Sequence, residues 1–224
     1  MVKKPKLSVV MPLWNEEGRV GAVLENLKKA RFIDEIVVVD DGSTDKSFRE
    51  AKAQVKTTYS YKKNRGKGYA EMYGAEKATG DVIIIYESDG QQEIADIKRI
   101  YDRLKTNDIV FTCRDFSNVP WPRRVNNVLT SFAIFLATGR AVRDPLSGMF
   151  GARREKLLAL GLKQDRFQFE SELNIKALRQ GLKSERIPIK VKYHSQKPFE
   201  FNKLNWKQSF LLFIFLLKSV LRFE

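Results

Sequence analysis

The chain has 224 residues and a formal charge of +14, from 41 Lys and Arg against 27 Asp and Glu, with 43% hydrophobic residues. That length and apolar content fit one folded domain with a sizeable core and exclude a disordered or low-complexity chain. The single cysteine, Cys113, excludes an intrachain disulfide and fits a reducing compartment. The charge favours polyanionic partners (nucleic acid, acidic lipid or phosphorylated substrates) without choosing among them. The basic start, 1–6, leads into a strand pattern rather than the apolar core of a signal peptide.

Leu7 to Pro12 reads as a short buried strand. Asn15 is expected to cap a helix, with Glu16 and Glu17 in its first turn and Val20, Leu24 and Leu27 on its apolar stripe to about Ala30. Glu35 to Asp40 is a second strand, too apolar to be half exposed. It runs into the turn Asp41-Gly42-Ser43-Thr44-Asp45, where Asp45 is expected to cap a short helix over 47–54. Thr57 to Lys62 reads as a third strand. Asn64-Arg65-Gly66-Lys67-Gly68 is a glycine-bearing loop that opens a helix to about Ala78.

Val82 to Gln92 is the most informative stretch: an apolar run breaks into Glu87, Ser88, Asp89, Gly90, Gln91 and Gln92. In an extended chain Glu87, Asp89 and Gln91 share one face, and three such oxygen donors suit a hard divalent cation. A solvated turn after a core strand explains the stretch equally well by itself. Ile94 to Leu104 is helical and Asp108 to Cys113 is a strand. Strand and helix therefore alternate with short connections, which predicts parallel βαβ units and a sheet covered on both faces. Ligands of such sheets bind beyond the carboxyl ends of the strands. Asp40, Asp41, Arg65, Lys67, Glu87, Asp89 and Gln91 all fall there.

Past Arg114 the alternation lapses. Pro120-Trp121-Pro122-Arg123-Arg124 reads as a rigid basic joint, and Val125 to Thr138 as a helix apolar nearly all round. Asp144 to Phe150 is a turn entering a strand, Phe167 opens a helix to Arg179, and 186–191 is a strand near an edge because of Pro188. Phe210 to Leu217 is unbroken by polarity, but Lys218 and Arg222 follow it. That run is too short and charged to span a bilayer, which takes roughly 20 apolar residues, so a helix lying in the membrane interface is expected. A core helix and an oligomer contact are the other readings.

Five segments stand in one order: Val10-Met11-Pro12-Leu13-Trp14-Asn15-Glu16, Val39 to Asp45, Asn64 to Gly68, Glu87-Ser88-Asp89-Gly90-Gln91 and Asp144-Pro145-Leu146-Ser147-Gly148. Together they resemble glycosyltransferase family 2 with the GT-A fold, most closely the dolichyl- and polyprenyl-phosphate mannosyl- and glucosyltransferases, from Leu7 to about Ile189. The resemblance implies an α/β, Rossmann-like, mostly parallel sheet flanked by helices, as a GT-A domain over 1–203. Amphipathic membrane-interface helices are implied in the C-terminal half, with an apolar interfacial helix over 204–224. It also implies an inverting transfer of a hexose from GDP-mannose or UDP-glucose to a polyprenyl or dolichyl phosphate, aided by Mg²⁺ or Mn²⁺. A glycan or another lipid is the alternative acceptor. A basic nucleic-acid-binding protein is the remote alternative, without a recognisable motif, so no nucleic-acid partner is expected.

Residue by residue, the resemblance places Pro12, Trp14 and Glu16 around the base and ribose, Asp40 and Asp41 at the base, and Arg65 and Lys67 near the diphosphate. Glu87, Asp89 and Gln91 stand where the family holds its metal, with Ser88 between them; Glu87 is a departure, being a glutamate where the family has aspartate. Arg114, Arg123 and Arg124 match arginines placed for the acceptor phosphate. Ser147 and Gly148 match the lining of the sugar site, and Glu170 is a sugar contact or candidate base. Asp89, Arg114, Arg124 and Glu170 are the residues expected to carry catalysis. His194 stands where the family has an arginine, and a following Ser-Lys pair is absent. The expected location is the cytoplasmic face of a membrane, as a peripheral protein with a membrane-anchoring partner or a second copy of the chain.

Overall fold

Ile36 to Val39 and Val82 to Ile85 are apolar on consecutive residues, so strands built from them need cover on both faces. The computed structural model describes residues 4–115, 121–166 and 168–192, with 121–123 described only in backbone. Among these, seven strands form one sheet: β1 (Leu7–Leu13), β2 (Glu35–Asp40), β3 (Thr58–Ser60), β4 (Val82–Ile85), β5 (Ile109–Arg114), β6 (Phe150–Arg153) and β7 (Ser184–Ile189). Their order is β3-β2-β1-β4-β6-β5-β7. Neighbours from β3 to β4 run parallel, as do β5 and β7, while β6 lies antiparallel between β4 and β5. The mostly parallel α/β sheet expected from the alternation is present.

Helices α1 (Val20–Lys29), α2 (Ser47–Gln54) and α4 (Ile94–Arg103) cover one face, packing Leu24, Leu27, Ile97 and Ile100 on Val9, Met11 and Ile84. Helices α3 (Lys67–Lys77), α6 (Arg154–Ala159) and α7 (Phe169–Arg179) cover the other, packing Ala70, Ala75, Leu157 and Phe169 on Val10, Ile83 and Ile85. Adjacent residues of β4 thus enter opposite halves of the core, as the two-residue period of a strand requires.

Several local expectations change. Asn15 does not cap α1: it takes a left-handed φ of 53°, and its Oδ1 accepts hydrogen bonds from the Thr44 N–H and hydroxyl, tying the two loops together. Asparagine tolerates that conformation better than most residues. The helix begins later, at Val20. Asp45 does serve α2, accepting from the Ser47 N–H at 2.9 Å. The third strand is only three residues long and sits at the sheet border. The expected joint before Val125 is instead the first turn of α5 (Trp121–Thr138), where Pro122 loses no helical hydrogen bond. Phe169, not Phe167, opens α7. His194, Phe167 and the 204–224 segment lie outside the described residues.

Helix α5 is inverted relative to a core helix. Asn127, Thr130 and Ile134 are buried, at helical spacing, and Ile134 meets Ile175 of α7. Val125, Val128, Leu129, Phe132, Phe135 and Leu136 are 46–62% exposed. The helix is therefore apolar on its outer side rather than all round. No helix among the described residues is long and apolar enough to cross a membrane.

This layering predicts unequal costs of truncation. Ile84, fully buried in the central strand, should lose about 2–5 kcal/mol on conversion to alanine. Phe132→Ser on the open side of α5 should change stability by no more than about 0.5 kcal/mol. Urea unfolding followed by circular dichroism measures both, and comparable losses would contradict the assignment of faces.

Candidate active site

The carboxyl ends of β1, β2, β4 and β5 converge with the amino ends of α3 and α7 and with the loop before β6. At the first of these, Trp14 follows β1 and is 54% exposed, which leaves an aromatic side chain open to solvent. Pro12 is buried in β1 opposite Val39, so its part is to shape the strand end rather than to meet solvent. Glu16 pairs with Arg19 at 2.9 Å, and its N–H donates to Ser47 Oγ.

Asp40 and Asp41 are both buried. Asp40 accepts from Ser60 Oγ at 2.7 Å and from the Ser43 N–H, which closes the turn. Asp41 accepts from the Arg65 N–H at 2.7 Å and the Gly66 N–H at 3.0 Å, which latches the glycine loop onto β2. The Arg65 guanidinium lies 3.4 Å from the Tyr69 ring centroid, stacked on the first turn of α3. Gly66, at φ 113°, brings that loop against the backbone of Asp165.

The strand β4 ends at Ile85, so Glu87, Asp89 and Gln91 do not alternate along an extended chain as expected. They sit on a turn in which Gly90 has φ 71° and Asp89 Oδ1 accepts from the Gln91 N–H at 3.0 Å. The turn still brings all three to one cavity of about 190 Å³, shared with Lys67, Arg114, Ser147 and Glu170. Ser88 is buried behind it. Burial, then the charge of Glu87, push the Asp89 carboxyl up to about 6.

Lys67 is the hub. Its ammonium forms a direct ion pair with Glu87 and stands 3.6 Å from Glu71 and 3.8 Å from Glu170. Burial disfavours its charge, but Glu87, Glu71 and Glu170 outweigh this and hold the ammonium well above its usual pKa. Burial pushes the Glu71 carboxyl well above its usual range and raises Glu170 too, with Lys67 only partly offsetting each. Gln92 completes the group, donating from Nε2 to Glu87 Oε2 at 2.9 Å.

Opposite these acids, Arg114 is bidentate to Asp144, through Nε at 2.9 Å and Nη2 at 2.8 Å, and also reaches the Leu146 carbonyl. That fork holds the loop bearing Ser147 and Gly148. Thr112 Oγ1 lies 2.6 Å from the Met149 carbonyl and donates to it, so the Ser147 hydroxyl, 2.9 Å away, donates to Thr112. A Cβ on Gly148 would stand 2.6 Å from Glu87 Oε1, so a larger residue there would make the Lys67–Glu87 pair shift. Arg124 is exposed on α5 and does not line the cavity, and the Arg123 side chain lies outside the described residues.

Three contributors escaped the sequence reading. Glu71 carried a signal: Glu71, Gly74, Ala75 and Ala78 share the buried face of a helix, where an unexplained acid stands among small residues. Gln92 carried none that separates it from Gln91. Asp144 belonged to a recognised segment, but its pairing with Arg114 depends on β5 and the loop before β6 meeting in space.

Residues 8–161 match the profile of Glycosyl transferase family 2. An uncharacterized protein of Methanocaldococcus jannaschii is 33% identical over 86% of this chain and 84% of its own length. The UDP-N-acetylglucosamine–dolichyl-phosphate N-acetylglucosaminyltransferase of Methanococcus voltae is 27% identical over 83% of this chain and 85% of its own. Among solved structures, glucosyl-3-phosphoglycerate synthase from Mycobacterium tuberculosis in complex with UDP superposes with a TM-score of 0.76 at 24% identity, covering 96% of this chain and 80% of that one. That likeness shows the fold; the profile, matched over more than half of the sequence, shows the family, and this chain is a glycosyltransferase belonging to glycosyl transferase family 2.

Proposed function

We propose that this enzyme transfers a hexose, with inversion, from a nucleotide sugar to a polyprenyl or dolichyl phosphate at a membrane surface. The observation that carries the reading is the cavity at the sheet edge where Asp89, Gln91, Lys67 and Glu170 meet. The relative from Methanococcus voltae, named for a dolichyl-phosphate acceptor, supports the acceptor class. GDP-mannose and UDP-glucose remain the expected donors, and that relative adds UDP-N-acetylglucosamine to the panel.

The residues fit a divalent cation. Asp89 is a carboxylate whose pKa is raised by burial and by a neighbouring acid, the condition a cation relieves. Its Oδ2 has no hydrogen bond within the described residues, and Gln91 adds an amide oxygen to the same cavity. No three such acids converge as a metal cage among the described residues. That suits Mg²⁺ or Mn²⁺ held by one or two protein oxygens together with substrate phosphates. When bound, the cation supplies a Lewis acid for the charge that builds on the leaving nucleoside diphosphate.

The chain supplies the rest. Trp14 offers a stacking face to the base, and the latched 64–68 loop, shaped by Asp41, presents Arg65 and Lys67 toward the diphosphate. Ser147 and Gly148, fixed by Arg114 and Asp144, line the sugar pocket. A lipid monophosphate has a second pKa near 6, roughly that of a phosphorylated side chain, so it arrives as a dianion and attacks without a base. Arg114, Arg123 and Arg124 are the groups proposed to hold it. The outward apolar face of α5 supports a peripheral place at a membrane surface, where its aliphatic and aromatic side chains leave water, and the cytoplasmic face is the side proposed.

A second reading has a hydroxyl acceptor on a glycan or another lipid, favoured by Glu170, a cavity-lining carboxyl with a raised pKa. A hydroxyl needs a base, and Glu170 is the residue proposed for it.

Purified protein with polyprenyl phosphate, Mn²⁺ and a donor panel should form a lipid-linked sugar detectable by mass spectrometry, and Asp89→Ala should reduce the rate at least about a hundredfold. Equal product from wild type and Asp89→Ala, or none from either across the panel, would refute the proposal. Glu170→Gln should keep activity within about tenfold on a phosphate acceptor, whereas loss by about 10²–10⁴ would favour the hydroxyl reading. The raised Asp89 pKa also has a sign. In metal-free protein its ionised form opposes folding fully above about pH 6, and the penalty vanishes below 3.8. Asp89→Asn should therefore raise Tm in EDTA at pH 7.5 and by progressively less toward pH 4; a gain that does not shrink as pH falls would show that the carboxyl is not so perturbed.

A further inference from the structure

Glu87 occupies the place of a metal-binding aspartate, yet both of its carboxylate oxygens are already engaged inside the protein. Oε1 is ion-paired with the Lys67 ammonium, and Oε2 accepts from Gln92 Nε2 at 2.9 Å. The pairing is built in on every side. Lys67 rises from the first turn of α3, and Glu71, one turn deeper and 1% exposed, has no hydrogen-bond partner among the described residues and pairs with that ammonium at 3.6 Å. Glu170 closes the third side at 3.8 Å. The bare Cα of Gly148 leaves the space in which Lys67 meets Glu87: a Cβ there would lie 3.0 Å from Nζ and 2.6 Å from Oε1.

Asp89 differs. Among the described residues only its Oδ1 is used, by the Gln91 N–H, and it lines the same cavity. The two acids of the turn therefore have separate fates. One is neutralised by a side chain of the protein, and the other faces the cavity with an oxygen to spare.

We propose that the Lys67 ammonium stands in for a divalent cation on Glu87, so that such a cation binds at Asp89 without Glu87, with an affinity that Lys67 sets. The proposal rests on the reading of Asp89 as a cation-holding residue. Lys67 acts here as a positioning residue. An ammonium within a few ångströms repels an approaching cation and holds back a carboxylate that could otherwise ligate it. Its removal frees one negative charge and deletes one positive charge at close range, and a charge change at ~4–6 Å shifts ionic equilibria by about one to three powers of ten. The glutamate's extra methylene compared with aspartate gives the carboxylate the reach to serve Lys67 and Gln92 together.

The test is donor-free Mn²⁺ binding by the full chain, read from the electron paramagnetic resonance signal of free Mn²⁺ at pH 7.5, with circular dichroism as the check on folding. Glu87→Gln, which removes a charge but no ligand, should weaken Mn²⁺ binding by no more than about tenfold and by less than Asp89→Asn does, and Lys67→Met should tighten it by about tenfold. Asp89→Asn should weaken it at least tenfold. Weakening by Glu87→Gln as large as that by Asp89→Asn would overturn the proposal, because Glu87 would then be a ligand. Unchanged or weaker binding by folded Lys67→Met would overturn it as well. Should Lys67→Met fail to fold, the Glu87→Gln arm decides alone. If Asp89→Asn binds Mn²⁺ like wild type, the cation lies elsewhere, and the reading beneath the proposal falls with it.

Discussion

One ammonium among three carboxyls governs the candidate site. Lys67 stands against Glu87, Glu71 and Glu170, with Asp89 on the same turn as Glu87. Acids gathered this closely repel one another and lose hydration, which is why the Glu71, Asp89 and Glu170 carboxyls are all raised. The sheet forces the meeting. β4 is buried on both faces, α3 packs on β1 and β2 through Gly74 and Ala75, and α7 enters beside them through Phe169. A protein carrying +14 overall thus concentrates acid at the edge where ligands of such sheets bind, a local sign that fits the cation proposed for it.

Much of this was legible from residues alone because it depended on short-range pattern. The consecutive apolar residues of β2 and β4 required cover on both faces, and the alternation of strand and helix required parallel pairing. Together these put Asp41, Lys67 and Asp89 on one edge before any contact was known. The antiparallel β6 was not legible. It depends on which strands become neighbours across a long excursion, and nothing local in Phe150 to Arg153 encodes a partner. The turn at Asp89 shows a milder limit: the residues converge as expected, but through Gly90 and a side-chain hydrogen bond rather than through strand alternation.

Pairwise commitments were the least legible feature. Asp41 has both oxygens on the backbone of the 65–66 loop, and Arg114 has its fork on Asp144, roles that compete with direct ligand contact and that only tertiary structure reveals. A side chain that positions a loop and one that touches a substrate can be the same residue type at the same motif position. Helix α5 makes the converse point. Its mixture of apolar and polar residues reads as nearly uniform, yet packing on α7 turns Asn127 and Thr130 inward and the large apolar residues outward. In water such a surface is a liability, and at the membrane surface proposed above it would serve as a docking face.

The proposed chemistry turns on where a divalent cation and a nucleoside diphosphate would meet this sheet edge. The most direct measurement is the anomalous diffraction of Mn²⁺ in crystals soaked with a nucleoside diphosphate. A peak about 2.0–2.3 Å from an Asp89 carboxylate oxygen, with Glu87 still paired to Lys67, is the predicted result. A peak ligated by Glu87, with Lys67 turned away, or one remote from Asp89, would contradict it.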